Sequence, residues 1–412
     1  MIRSPRWLTA LTVAALLPAA CTDGPPNPAA PNGTISPAGL SADAVKSREA
    51  TATVRWNAIA RAQTLTHAMS NQAGVRTFAY LSLAQYNAAV AARHPKGKGD
   101  HRSAKRGKRP SVPAAVAGAS AVVLTSVFAD QAAYFDAQVA LARSDDDDDA
   151  DFAAGEALGR AVGASVLASA ATDGFTASVA GVVIPVCPGC WLSAPGVVPI
   201  FPLLGQTRPF FLSTASQVRP GPPPTFGSPQ YLAALAEVRH FSDTRTPEQD
   251  ALAKFWAKPG GYAVIHAYAN QLATDEITKI HLDERRAAHV LAIMNMTSMD
   301  AFIACHDAKY TYWLIRPSQA DPGIVLAIPL PNHPSYPSNH ACVTGSAMAV
   351  LASFFPSDAS YLRGLADDAA ISRVYGGIHY RFDMDVGLTL GRKIARYALA
   401  HDVKGDRAYA LR

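Results

Sequence analysis

Apolar and small residues recur at three- and four-residue spacing over residues 47–92, through WNAIARAQTLTHAMSN and VRTFAYLSLAQYNAAVAA. That is the period of helices burying one face, and it predicts two packed helices here. The pattern gives two more helices over 112–142, and another opening near Ser144 and running toward Ala171. It returns at 231–240, 247–257, 262–272, 278–312, 340–355 and 383–400. Residues 172–229 change character. They are rich in Pro, Gly, Val and Phe, and runs such as GVVIPV and VVPIFPLL hold too many prolines for a helix. The fold class expected is all-α: a helical bundle crossed by one long Pro/Gly-rich excursion. With 412 residues, 49% of them hydrophobic, the chain can build its core without a structural metal.

The formal charge of +5 is concentrated in residues 94–110, HPKGKGDHRSAKRGKRP. This stretch has no aromatics to stack bases and no amphipathic period, so it reads as a solvated loop and no nucleic-acid partner is expected. At the N-terminus, Arg3 and Arg6 precede an apolar run over 7–20 too short to span a bilayer, the pattern of a signal peptide. Two processing sites fit: cleavage after Ala20, or before Cys21 with that cysteine acylated as a lipid anchor, although Pro18 departs from the usual lipoprotein box. Residues 21–46 read as a flexible tether and 47–405 as the folded domain, in an exported bacterial protein of the periplasm or anchored to its membrane.

An oxidising compartment makes the remaining cysteines candidates for disulfides. Cys187 and Cys190, in CPGC, have no partner CxxC or histidine pair at ligand spacing, so a local disulfide is expected rather than zinc or a redox site. Cys305 and Cys342 are either buried thiols or a bridge. The aspartates at 145–149 lack the glycine and spaced ligands of a calcium loop, and read as a helix N-terminus favoured by negative charge.

Three segments carry chemistry. Lys309 and Arg316 are seven apart, two helical turns, which puts both cations on one face of the 278–315 pattern; alone, this would be a snorkelling surface stripe. Pro337, Ser338, Asn339 and His340 stand immediately before an apolar helical run, so their backbone N–H groups and the Ser338 hydroxyl suit an anion, or a simple cap. In SRVYGGIHYRFD, Gly376 and Gly377 permit a tight turn that lets Arg373 and His379 converge. Asp383 either caps the last helix or orients His379.

In this order the three segments resemble the signature of the type 2 phosphatidic acid phosphatase (PAP2) and vanadium-dependent haloperoxidase superfamily: Lys, six residues, Arg-Pro; Pro-Ser-Gly-His; Ser-Arg, five residues, His, three residues, Asp. The upstream stretches GQTRPFFLSTASQVRPGPPPTFGSPQYLAALAEVRHF and ALAKFWAKPGGYAVIHAYANQLA resemble the haloperoxidase branch, and the likeness spans roughly residues 50–405. It implies that Lys309, Arg316 and Arg373 neutralise the equatorial oxygens of a vanadate cofactor. Ser338 and the amide of Asn339 would donate to it, His379 would be its axial ligand and His340 the general acid/base. Tyr336 and Tyr375 would pack the pocket walls. Two positions depart from the pattern: Asn339 stands where glycine is usual, and His306 where tryptophan is expected.

The resemblance implies a haloperoxidase using hydrogen peroxide, a halide and an organic acceptor. His333, seven residues before His340, favours bromide or iodide. Because phosphate shares the charge and shape of vanadate, the same cluster also fits a phosphatase acting on phosphate esters through a phosphohistidine on His379, without a cofactor. A third reading, a periplasmic oxyanion-binding lipoprotein without turnover, sits less well with the two histidines.

Overall fold

The computed structural model describes residues 51–93, 109–143, 148–257, 264–403 and 407–411. The signal-peptide, tether and Cys21 readings lie outside them, as do residues 94–108 of the basic stretch and aspartates 145–147. The described residues form thirteen α-helices and no β-ladder. The first five are α1 (Ala52–Thr66), α2 (Asn71–Arg93), α3 (Val112–Val127), α4 (Ala132–Ala140) and α5 (Asp149–Ala170). After the excursion come α6 (Pro229–Thr244), α7 (Pro247–Ala257), α8 (Val264–Lys279), α9 (Glu284–Tyr312) and the single turn α10 (Pro317–Ala320). The last three are α11 (Asn339–Phe354), α12 (Ala359–Tyr375) and α13 (Arg381–Ala400).

Local chemistry sets these boundaries. Ser111, Asp148, Ser228 and Asp283 each cap a helix by accepting the backbone N–H three residues on. The periodic run expected over 278–312 is split. His281 takes a left-handed φ of 52° and Asp283 caps a new helix, so α8 ends at Lys279 and α9 begins at Glu284. Helix α12 was not anticipated from the periodicity. It buries Leu362, Leu365, Ala366, Ala369 and Ala370 beside an otherwise polar surface.

Helix α9 is the axis of the bundle. It packs against α2 on one side and α11 on the other, while α3 packs on α5 and α11 on α13. It is long and apolar enough to cross a membrane, but 94% of its most apolar window is buried inside the bundle, as befits a core helix. The excursion is fastened across this core. The buried Asp300 carboxylate on α9 accepts the backbone N–H groups of Phe210 (2.6 Å), Phe211 (2.8 Å) and Leu212 (3.0 Å). A Cys187–Cys190 disulfide closes the CPGC turn, and Gly189 and Trp191 exchange backbone hydrogen bonds with Ile315 and Trp313. The excursion thereby braces the segment that carries Arg316.

Candidate active site

Lys309 occupies the last turn of α9 and is fully buried. Its Nζ donates to the carbonyls of Pro334 (2.9 Å) and Ser335 (2.7 Å). Arg316 does not share its helix face, as the seven-residue spacing had suggested. Trp313 adopts a left-handed φ of 52° and ends α9, so Arg316 is extended backbone before α10, which Pro317 opens. The guanidinium reaches the pocket all the same. Its Nε donates to the His333 carbonyl (2.9 Å) and its Nη1 to that of Ile378 (2.6 Å), while Nη2 lies 2.9 Å from His333 Nδ1 and Nη1 3.1 Å from His379 Nε2.

The turn 333–338 crosses beneath these cations and ends at α11. Ser338 is its N-cap residue, yet the hydroxyl does not cap: Oγ is buried with no hydrogen-bond partner. The plain-cap alternative is therefore set aside. The backbone N–H of Ser338 donates to the Asp383 carbonyl (2.9 Å), tying the start of α11 to α13. That approach needs Gly387, where a Cβ would come within 2.7 Å of the Ala341 Cβ and 2.9 Å of the Ser338 carbonyl. His340 is half-buried, and its Nε2 donates to the Trp256 carbonyl (2.9 Å).

Arg373 closes the pocket from the last turn of α12, donating from Nη2 to the Ala253 carbonyl (2.7 Å) and from Nε to Ser372 Oγ (3.0 Å). Gly377, at φ 80°, turns the chain back so that His379 enters the pocket before α13. His379 Nδ1 lies 2.8 Å from Asp383 Oδ2, which also accepts from Ser335 Oγ (2.5 Å) and the Tyr380 N–H (3.2 Å). Asp383 thus serves both roles weighed for it, helix capping and orientation of His379.

Burial governs the electrostatics. It lowers Lys309 to about 7, Arg316 to about 10 and Arg373 to about 9. His379 and His340 are held well below the usual histidine range, by burial first and then by the cations nearby, Arg316 for His379 and Arg373 for His340. Asp383 is raised to about 6 by burial. Among the described residues, none of the three cations pairs with a carboxylate; they rest on carbonyls, a hydroxyl and imidazoles. Three buried cations outside any ion pair, with the Asp383 carboxylate as the opposing charge near Lys309 and Arg316 and an unpartnered hydroxyl beside them, are suited to an anion. These donors match a tetrahedral oxyanion such as vanadate or phosphate.

The accessory residues also fall here. His333 and His306 are both buried, their rings 5.8 Å apart, and His306 Nε2 faces Asn339 Nδ2 at 3.1 Å. Cys305 and Cys342 are buried free thiols. Tyr336 packs beside the pocket with its hydroxyl on the Gly221 carbonyl, whereas Tyr375 packs against Phe241 and the α6 side of the bundle. Sequence reasoning missed Ser335 and the carbonyls of Ala253, Trp256 and Phe201. Ser335 stood in the HPSYPS run without a chemical signal of its own, and backbone acceptors carry none at all.

Fold and site together form a helical bundle whose C-terminal helices gather three buried cations and two histidines. Residues 288–403 match the family model of the PAP2 superfamily. No curated protein matches the sequence. Among solved structures, a bacterial vanadium-dependent iodoperoxidase shares the fold with a TM-score of 0.73 and 23% identity, over 85% of this chain and 96% of its own. A bacterial vanadium-dependent chloroperoxidase gives 0.64 in both apo and holo forms, at 15% and 16% identity, over 80% of this chain and 94% and 91% of theirs. The chain carries the PAP2 pattern in its C-terminal part and has the helical fold of the haloperoxidases.

Proposed function

We propose that this chain is a vanadium-dependent haloperoxidase-like enzyme that oxidises a halide with hydrogen peroxide. The observation that carries the oxyanion site is the trio Lys309, Arg316 and Arg373, buried without a carboxylate partner around the unpartnered Ser338 hydroxyl. The breadth of the fold match supports the peroxidase side, since it covers 85% of this chain and so extends well beyond the PAP2 segment at 288–403.

When bound, vanadate would supply the Lewis-acidic centre that activates peroxide toward halide. The chain does the rest. Lys309, Arg316 and Arg373 neutralise the anion, and the Ser338 hydroxyl and Asn339 backbone N–H donate to it. His379 keeps its proton on Nδ1, against Asp383, so Nε2, which accepts from Arg316 Nη1, would be the atom that holds the cofactor. His340 keeps Nε2–H on the Trp256 carbonyl, so Nδ1 is the atom that takes up and returns a proton. His333, beside Arg316, lines the wall assigned to bromide or iodide.

The PAP2 match also favours a second reading, phosphate-ester hydrolysis. There His379 Nε2 attacks phosphorus, the ester P–O bond breaks, and the departing alkoxide takes the proton that His340 Nδ1 carries in its imidazolium form. Water then attacks the phosphohistidine and returns a proton to His340 Nδ1, releasing phosphate and restoring Nε2. The assay that decides uses metal-free protein. A haloperoxidase is inactive until vanadate is added, then oxidises bromide with peroxide and is blocked by phosphate. A phosphatase hydrolyses a phosphomonoester without vanadate and is inhibited by it, and that outcome would overturn the first reading. We also propose that the mature chain lies outside the cytoplasm and begins at or near Cys21. N-terminal sequencing that found Met1 on soluble cytosolic protein would refute this.

A further inference from the structure

Asn339 opens α11, and its carboxamide lies against His306. Its Nδ2 lies 3.1 Å from His306 Nε2, and His306 Nδ1 lies 3.1 Å from the Phe201 carbonyl. A carbonyl only accepts, so Nδ1 carries the imidazole hydrogen and Nε2 is a lone pair. Of the two arms of the amide, only the NH2 satisfies that lone pair, which fixes the orientation of Asn339. His306 is fully buried, and burial together with the Lys309 charge brings it to about 3, so the ring stays neutral and the arrangement persists. The other arm, Oδ1, is buried and has no donor; one residue away, the Ser338 hydroxyl is also without a partner.

One residue from the unpartnered Ser338 hydroxyl, this buried oxygen calls for a donor on the ligand, because a buried acceptor left unmet is costly. We propose that Asn339 Oδ1 accepts a hydrogen bond from the hydroxyl of a protonated tetrahedral oxyanion, and so selects hydrogen-bearing phosphate or vanadate over sulfate or molybdate. The latter two carry no proton near neutral pH, so their oxygens would meet Oδ1 lone pair to lone pair. His306 is then a positioning residue, acting through the amide it orients. The assignment rests on the oxyanion-site reading above.

Isothermal titration of the full-length protein with inorganic phosphate and with sulfate tests this, at a mildly alkaline pH where monohydrogen phosphate matches sulfate in charge. Wild type should bind phosphate about 10-fold or more tightly than sulfate, and Asn339→Gly should remove most of that preference while still binding phosphate. His306→Phe, which frees the amide to rotate, should narrow the preference in the same direction. Equal wild-type affinities, or a preference that survives Asn339→Gly, would overturn the proposal. If wild type binds neither anion, the oxyanion site itself fails, and that result is distinct from a loss of selectivity.

Discussion

His379 and Asp383 meet across 2.8 Å, imidazole Nδ1 to carboxylate Oδ2, at a point where both side chains are buried. Ser335 and the Tyr380 N–H hold the same oxygen, so the carboxylate is fixed before the imidazole reaches it. Asp383→Ala removes the oxygen that holds the Nδ1 proton, leaving the imidazole free to turn and to move its proton to Nε2. Vanadate affinity should fall roughly 10–100-fold, as expected for an orienting partner of a ligand histidine. Equilibrium titration measures this directly. Unchanged affinity would remove Asp383 from the orienting role.

Lys309 predicts the pH dependence. Its folded-state value, about 7, lies below the ordinary lysine value of 10.5 because burial disfavours the ammonium. The unfolded chain therefore holds the extra proton between those limits. The anion-free protein should gain stability as pH rises through that window and should bear the full cost of the buried charge below it. A bound anion favours the charged form, so oxyanion affinity should be highest below about 7 and decline above it. Phosphate titrations of wild type and Lys309→Met at several pH values isolate this contribution, since the ionisation of phosphate is common to both. Parallel curves would count against it.

The cations were legible because family spacing survives in linear sequence, but the geometry behind that spacing was not. Lys309 and Arg316 looked like neighbours on one helix, whereas Trp313 at φ 52° ends the helix and Arg316 returns to the pocket through extended backbone. A left-handed tryptophan has no composition signal. Helix α12 escaped notice because Gly364 and the paired Asp367 and Asp368 dilute its apolar stripe. The sites that fasten His340 and Arg373 are the carbonyls of Trp256 and Ala253, which every residue possesses.

Gly387 sets the distance between α11 and α13. In Gly387→Ala the new methyl would crowd the Ala341 Cβ at 2.7 Å and the Ser338 carbonyl at 2.9 Å. Overpacking of this kind typically costs about 1–3 kcal/mol. It should also loosen the seat of His379 relative to Ser338. Chemical denaturation together with phosphate titration should show both losses; a variant of wild-type stability and affinity would mean that the helices are free to part without consequence.

The His340 imidazole is held by a hydrogen bond to the Trp256 carbonyl at the end of α7. His340→Ala should reduce turnover roughly 10²–10⁴-fold in either chemistry while leaving oxyanion affinity largely intact. A steady-state assay paired with a binding titration separates the two effects. Full turnover in that variant would assign the proton to another group such as His333.

The central claim is that Lys309, Arg316, Arg373, Ser338 and His379 form a single oxyanion site. The most direct measurement is the vanadium content of the purified protein by elemental analysis, after loading with vanadate and exhaustive dialysis. The account predicts equimolar vanadium retained by wild type, released by excess phosphate, and absent from His379→Ala. Vanadium that stays bound in His379→Ala, or that excess phosphate does not displace from wild type, would contradict it.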